Sequence, residues 1–571
     1  MASKDGGREF LVLFAHHNMY FNMRFQELQA LAALLGVSAQ ELYAEAKPTA
    51  LSASMAVLVR LPGGEADAKK ICERSVLVKA ILEVWAQGSQ WTEVVEACLA
   101  QTELRRQRRQ YLAPPRSICL RVESFGKTMT MEEKTAVMET LRPLFDGDEV
   151  VDLRDPDTTL WVLEEHSHRS DEKTHLGKRT RPPQRVVLGR QVAGGRSTDK
   201  KLKSGEKCFF HRYDLSKRAV LGPTTLDNEL SFIMANCAGV RSRQLGMDPF
   251  CGTGGLLIAM AHFGAKLFAG EIDIRVVRGW RIAYTKNKAA MLDAARSRGL
   301  AKGPIPAADA TQAANECSGS CDSASSWSLQ YLRGLGLPLA VADGAGASKA
   351  PKQPNNHNAK AEKDPALTSA GGCNIFTNFV QYGFPSPEVV VCDNAMPPWR
   401  GVARGWLDFI ITDPPYGVRA GAKKSGRDET KKQVVIQDVS NYIPSKVSYG
   451  EEELSEDLLT FAAASLVDGG KLVFLVPVDL ADFLGIDRAA VEQDNEGARP
   501  NFHDICHPKA GRKKDPRLCV SETTRDPLLL DESRYVDFIP QHGSLQLLGA
   551  SLQVLSGGLG RLLVTMQRRP R

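Results

Sequence analysis

The sequence predicts an α/β protein, a doubly wound parallel sheet preceded by small α+β units. Three observations carry that reading. Strand-like and helix-like segments alternate from about residue 226 to about residue 563. The apolar run 406–411 stops just before Pro414 and Pro415, and Gly252, Gly254 and Gly255 form a turn that joins a strand to a helix.

At 571 residues the chain exceeds a single core, so several domains and insertions are expected. Its 43 % hydrophobic content is that of a globular protein. Lys+Arg 73 against Asp+Glu 67 gives a formal net charge of +6, which permits a nucleic-acid partner without indicating one. The 12 cysteines form no disulfide-like framework, and Cys119 and Cys392 sit beside aliphatic residues, which indicates a reducing compartment. Cys317 and Cys321 lack a second pair, and His503, Cys506, His507 and Cys519 lie in a basic segment, so no metal site is expected. The N-terminal segment lacks a signal-peptide pattern, and no apolar stretch is long enough for a bilayer. The expectation is a soluble protein of the cytoplasm or nucleus, with the cytoplasm preferred.

Residues 10–15 read as a strand, and Phe25, Leu28, Leu31, Ala32 and Leu35 as a helix stopped by Gly36. The spacing over 76–85 predicts a second amphipathic helix. Arg105, Arg106, Arg108 and Arg109 form a charge run that reads as a solvated helical face before an RNA contact. Strands are expected at 118–122 and 159–163, with a helix at 131–144 between them. This pattern divides the chain into an N-terminal α+β domain (1–115), a second small unit (116–165), a charged linker (166–184) and a main domain (185–571). A strand at 185–191 opens the main domain, and Lys200, Lys201 and Lys203 fall on a surface insertion.

Within the main domain, helices are expected at 226–236, 256–263 and 454–466. Strands are expected at 245–249, 266–271, 388–392, 406–412, 471–478 and 561–566. Insertions at about 287–370 and 488–532 are poor in bulky side chains and stand outside the core.

Two strand ends carry chemistry. After 406–412 come Asp413, Pro414, Pro415 and Tyr416. Asp413 and the Pro414 carbonyl can accept the two hydrogens of an exocyclic amine, and Tyr416 can stack on a flat heterocycle. Alone, the segment would also suit an ordinary Asp-Pro turn. After 245–249 come Phe250, Cys251, Gly252, Thr253 and Gly254, a turn that allows close ligand approach below a helix N-terminus. A dinucleotide site would favour glycine at 257, where Leu257 stands. Glu271 ends the next strand at the separation from the turn used to grip a ribose, and Asp273 follows.

Together these motifs resemble the class I S-adenosylmethionine-dependent amino-methyltransferases, with their Rossmann-like fold. The segments 222–236, 248–264, 442–449 and 539–542 look like the catalytic subunits of tRNA guanine-10 N2-methyltransferases, and 10–36 and 125–128 like their THUMP-containing, RNA-binding half. The resemblance implies S-adenosyl-L-methionine as cofactor and tRNA as substrate. It also implies a small zinc-binding activator subunit in a heterodimer. It places Asp413, Pro414, Pro415 and Tyr416 at catalysis, and Asp248, Phe250, Gly252, Thr253, Gly254, Glu271, Asp273, Asp393 and Asn394 around the cofactor. Glu271 replaces the family's usual aspartate, which makes Asp273 an alternative ribose ligand. Protein glutamine N5-methyltransferases share the fold but carry Asn-Pro-Pro-Tyr, and a non-catalytic RNA-binding scaffold is the other alternative.

Overall fold

A computed structural model describes residues 8–15, 19–44, 48, 54–125, 127–166, 182–196, 208–222, 224–278, 286–287, 374–399, 405–415, 422–426, 445–484, 531–555 and 559–571. The chain forms two compact units: Met1–Arg212 with Glu229–Val240 and Gly469–Arg571, and Tyr213–Asn228 with Arg241–Asp468. Both expected insertions fall mostly outside the described residues, as do the Cys317 and His503 groups and Lys200, Lys201 and Lys203.

The first unit begins with β1 (Arg8–Phe14), α1 (Arg24–Leu34), β2 (Ala56–Leu61), α2 (Glu65–Arg74) and β3 (Val78–Gly88). It continues through α3 (Trp91–Ala100), α4 (Thr102–Leu112), β4 (Ser117–Phe125), α5 (Met131–Leu141), β5 (Val150–Val151), β6 (Thr158–Glu165) and β7 (Arg185–Gly194). The strands make one sheet in the order β2-β1-β3-β7-β6-β4-β5. Phe10, Val12, Phe14 and Ile81 meet Leu28 and Leu31 of α1 and Ile71 of α2. Farther along, Leu160, Val162 and Leu188 meet Val94 of α3 and Leu141 of α5. Thr130 and Glu133 cap α5 reciprocally, and Pro143, which lacks an N–H, lies in the 3-10 turn that ends it.

Three expectations are corrected here. Residues 78–88 are a strand, not a helix: β3 lies between β1 and β7, and its buried Val78, Ala80, Ile81 and Leu82 cover both faces of a sheet. The first two expected domains are one sheet, because β4 and β6 reach β3 through β7. For the same reason Arg185–Gly194 closes this sheet instead of opening the main domain. Most of the expected linker, 167–181, lies outside the described residues.

Helix α6 (Asn228–Ala238) follows, and then β8 (Leu245–Asp248), α7 (Gly255–His262), β9 (Lys266–Glu271), α8 (Ile375–Tyr382), β10 (Glu388–Val391), β11 (Leu407–Thr412) and α9 (Glu451–Ser465). In the second unit the strand order is β10-β9-β8-β11, all parallel, with Glu271 opposite Val391, Ala269 opposite Asp248 and Ile410 opposite Met247. Close approach requires glycine at 246, since a Cβ there would stand 2.0 Å from the Phe409 ring.

The C-terminal strands β12 (Leu466–Asp479), β13 (Leu545–Val554) and β14 (Leu559–Arg568) pair antiparallel, with β14 in the middle. The parallel expectation therefore stops short of them. Within the first unit, α1 is tied to this hairpin: Gln26 donates to Thr565 Oγ1 at 2.9 Å and accepts from Ser551 Oγ at 2.7 Å. The adjacent Glu27 is sealed and accepts from Ser75 Oγ, the Val76 and Leu77 amides and Asn236 Nδ2 of α6. Four donors offset the burial that raises its pKa. Among the described residues, no helix is long and apolar enough to cross a membrane.

Candidate active site

Strand order in the second unit reverses between β8 and β11, the place where an open α/β sheet leaves a crevice outside its carboxyl ends. Both motif-bearing loops leave from that point. Thr412 Oγ1, the last residue of β11, donates to Asp248 Oδ1, the last of β8, at 2.7 Å. The glycine turn and the double-proline loop therefore open together.

Asp248 is sealed and also accepts from the Phe250 amide at 3.1 Å. Burial pushes its carboxyl up to about 7, and the nearby charges of Asp413 and Glu271 add to the rise. Asp413 is half-buried, Pro414 buried and Pro415 half-buried. Tyr416 lies outside the described residues.

Gly252 (φ 47°) and Gly254 (φ 81°) take left-handed backbone conformations that side chains disfavour. A Cβ on Gly252 would meet nothing within 4 Å among the described residues, which leaves that side of the turn open to a ligand as far as they reach. Leu257 is fully buried in α7, which explains why no third glycine stands there. Glu271 braces the turn from β9, accepting the Gly252 amide at 2.8 Å and the Asp273 amide at 2.7 Å. Burial raises its pKa. Asp273 is engaged otherwise, holding the Arg275 guanidinium at 2.6 and 2.8 Å. Beyond β10, Asp393 accepts from the amides of Ala395 and Ser425, and the buried Asn394 Nδ2 has no hydrogen-bond partner among the described residues.

These residues fit an amino-acid nucleoside such as S-adenosylmethionine: an open glycine turn, a carboxylate with lone pairs to spare on Glu271, and an unspent amide donor on Asn394.

Sequence reasoning missed the residues that hold the turn in place. Asn378 on α8 donates to the carbonyls of Val220 and Thr253 at 3.0 and 3.1 Å and accepts the Val220 amide at 2.9 Å. Gln381, one turn on, accepts the Ala219 amide at 2.8 Å. Thr225 Oγ1 and Thr253 Oγ1 are 3.1 Å apart. The available signal was a pair of amides at i and i+3 inside an otherwise apolar helix face containing Ile375, Phe379 and Tyr382.

Residues 8–197 match the family model described as Tmrp11 THUMP N-terminal domain, and residues 216–318 the one described as RMKL-like, methyltransferase domain. The human tRNA (guanine(10)-N(2))-methyltransferase TRMT11 is 28 % identical over 82 % of this chain and 79 % of its own length. Across both regions the chain is similar to the THUMP-containing tRNA (guanine(10)-N(2))-methyltransferases. The TRMT11 of Dictyostelium discoideum is 26 % identical over 82 % of this chain and 74 % of its own. That of Bos taurus is 27 % identical over 82 % and 79 %. Both family models agree with the structure: the first covers the whole seven-stranded sheet including β7, and the second covers β8 and β9 with the glycine turn.

Proposed function

We propose that this chain transfers a methyl group from S-adenosyl-L-methionine to the exocyclic N2 of guanosine 10 in tRNA. The observation that carries the reading is the Thr412–Asp248 hydrogen bond at the point of strand reversal, which puts Asp413 beside the glycine turn. The relatives named above support the substrate.

The bound cofactor supplies an electrophilic methyl carbon, so the protein has mainly to position an amine. Gly252, Thr253 and Gly254, with Asp248 and Phe250 at the start of the turn, would hold the amino-acid end. Glu271 would hold the ribose, with Asp273, paired to Arg275, as the alternative ligand, and Asp393 and Asn394 would serve the adenine. Asp413 and the Pro414 carbonyl accept the two N2 hydrogens. They turn the nitrogen lone pair outward and stabilise the positive charge that grows on nitrogen. Pro415 stiffens the loop, and Tyr416 stacks on a guanine taken out of its helix. The N-terminal sheet and its helices bind tRNA by phosphate contact and shape, so affinity falls with salt.

A small zinc-binding activator subunit completes the enzyme as a heterodimer, and the site of action is the cytoplasm. Radiolabelled cofactor incubated with unmodified tRNA, with and without that subunit, tests the reading. Label in guanosine 10 is expected, and no transfer under either condition would overturn it.

A further inference from the structure

Arg218 belongs to none of the motifs above, yet it is among the largest fully sealed side chains, at 1 % exposure. It lies beneath the first turn of α7: its Nη1 is 3.4 Å from where a Cβ on Gly255 would stand. Its Nη2 donates to the Tyr213 carbonyl at 3.3 Å, while Nε and Nη1 have no hydrogen-bond partner among the described residues. Burial works against its charge, and the Tyr382 hydroxyl and Asp227 work for it. A buried guanidinium with two unspent donors is costly unless an anion nearby benefits from its field. The same place carries the positive end of α7, whose first amides have no partner inside the helix. Two independent positive features thus converge on the glycine turn.

We propose that Arg218 is the positioning residue for the cofactor's carboxylate, acting through the Gly254–Gly255 turn to make this turn selective for a negatively charged amino-acid end. The inference rests on the methyltransferase reading. Because Arg218 is sealed, it acts by its field across a poorly screened interior and not by direct contact. The Tyr213 carbonyl holds the guanidinium in place, within van der Waals reach of the Gly255 position.

The test compares two ligands that differ by one group, S-adenosylhomocysteine and its decarboxylated analogue, by calorimetric titration of the full-length chain. Wild type should prefer the carboxylate-bearing ligand by about tenfold or more. Arg218→Gln should lose most of that preference while binding the analogue as wild type does, and Arg218→Lys, which keeps the charge, should retain it. A merely structural role would weaken both ligands together. An unchanged preference in Arg218→Gln, or a loss in Arg218→Lys as large as in Arg218→Gln, would overturn the proposal. Should Arg218→Gln fail to fold, a wild-type preference under about twofold would overturn it, and retention in Arg218→Lys would sustain it. If neither ligand binds wild type, the cofactor reading itself has failed.

Discussion

The N-terminal sheet and the parallel sheet treat charge in opposite ways. In the first, acids and bases neutralise one another: Arg190 bridges Glu65 and Glu83 at 2.5 and 2.8 Å, Lys79 pairs with Glu123, and Arg109 reaches Asp148 and Glu149. In the second, Asp393, Glu271, Asp248 and Asp413 gather at the carboxyl ends of four adjacent strands. Asp248 and Glu271 are held there by hydroxyl and amide donors. Crowding like charges works against folding, and that cost marks where the molecule is built to meet a ligand.

The largest effect that would sharpen this contrast lies in the acidic cluster. Asp413→Ala should retain cofactor affinity and lose methyl transfer by about 10²–10³-fold in kcat, read by single-turnover labelling of tRNA. Transfer at the wild-type rate would remove Asp413 from the mechanism. Next, Gly246→Ala would push a methyl group into the Phe409 ring between β8 and β11, lowering stability by about 1–3 kcal/mol in denaturant titration.

The third prediction concerns pH. The Asp248 carboxyl rises from 3.8 to about 7 on folding, so the folded chain holds a proton that the unfolded chain releases. Its contribution to stability is full below pH 3.8 and is lost as pH rises through 7. Asp248→Asn should flatten that slope, by about 1–3 kcal/mol across the window, and an identical slope in the variant would contradict the assignment. The smallest effect belongs to the paired region. Arg105→Ala removes an exposed contact with Asp146 and should shift stability by less than about 0.5 kcal/mol.

Legibility followed the same division. β9 is found at Lys266–Glu271 as the sequence predicts, and β8, α7 and β11 lie within a residue or two, because a glycine turn and a proline pair mark their ends locally. β3 was misread because a central strand buried on both faces shows no alternation, and apolar residues at 76, 80 and 84 mimic a helix. Strand direction in β12–β14 leaves no trace in local periodicity. The positions of Asp248, Gly252, Glu271 and Asp413 could be read from motifs. The amides of Asn378 and Gln381 could not, since they bind backbone groups some 160 residues away, as in the Val220 and Ala219 bonds.

The central claim is that a methyl donor and an exocyclic amine meet where β8 and β11 end. Its most direct test is labelled methyl transfer to two tRNAs that are identical except at nucleotide 10, guanosine in one and inosine, which lacks the 2-amino group, in the other. The account predicts label in the first, mapped by mass spectrometry to that nucleotide, and none in the second. Equal label in both would contradict it.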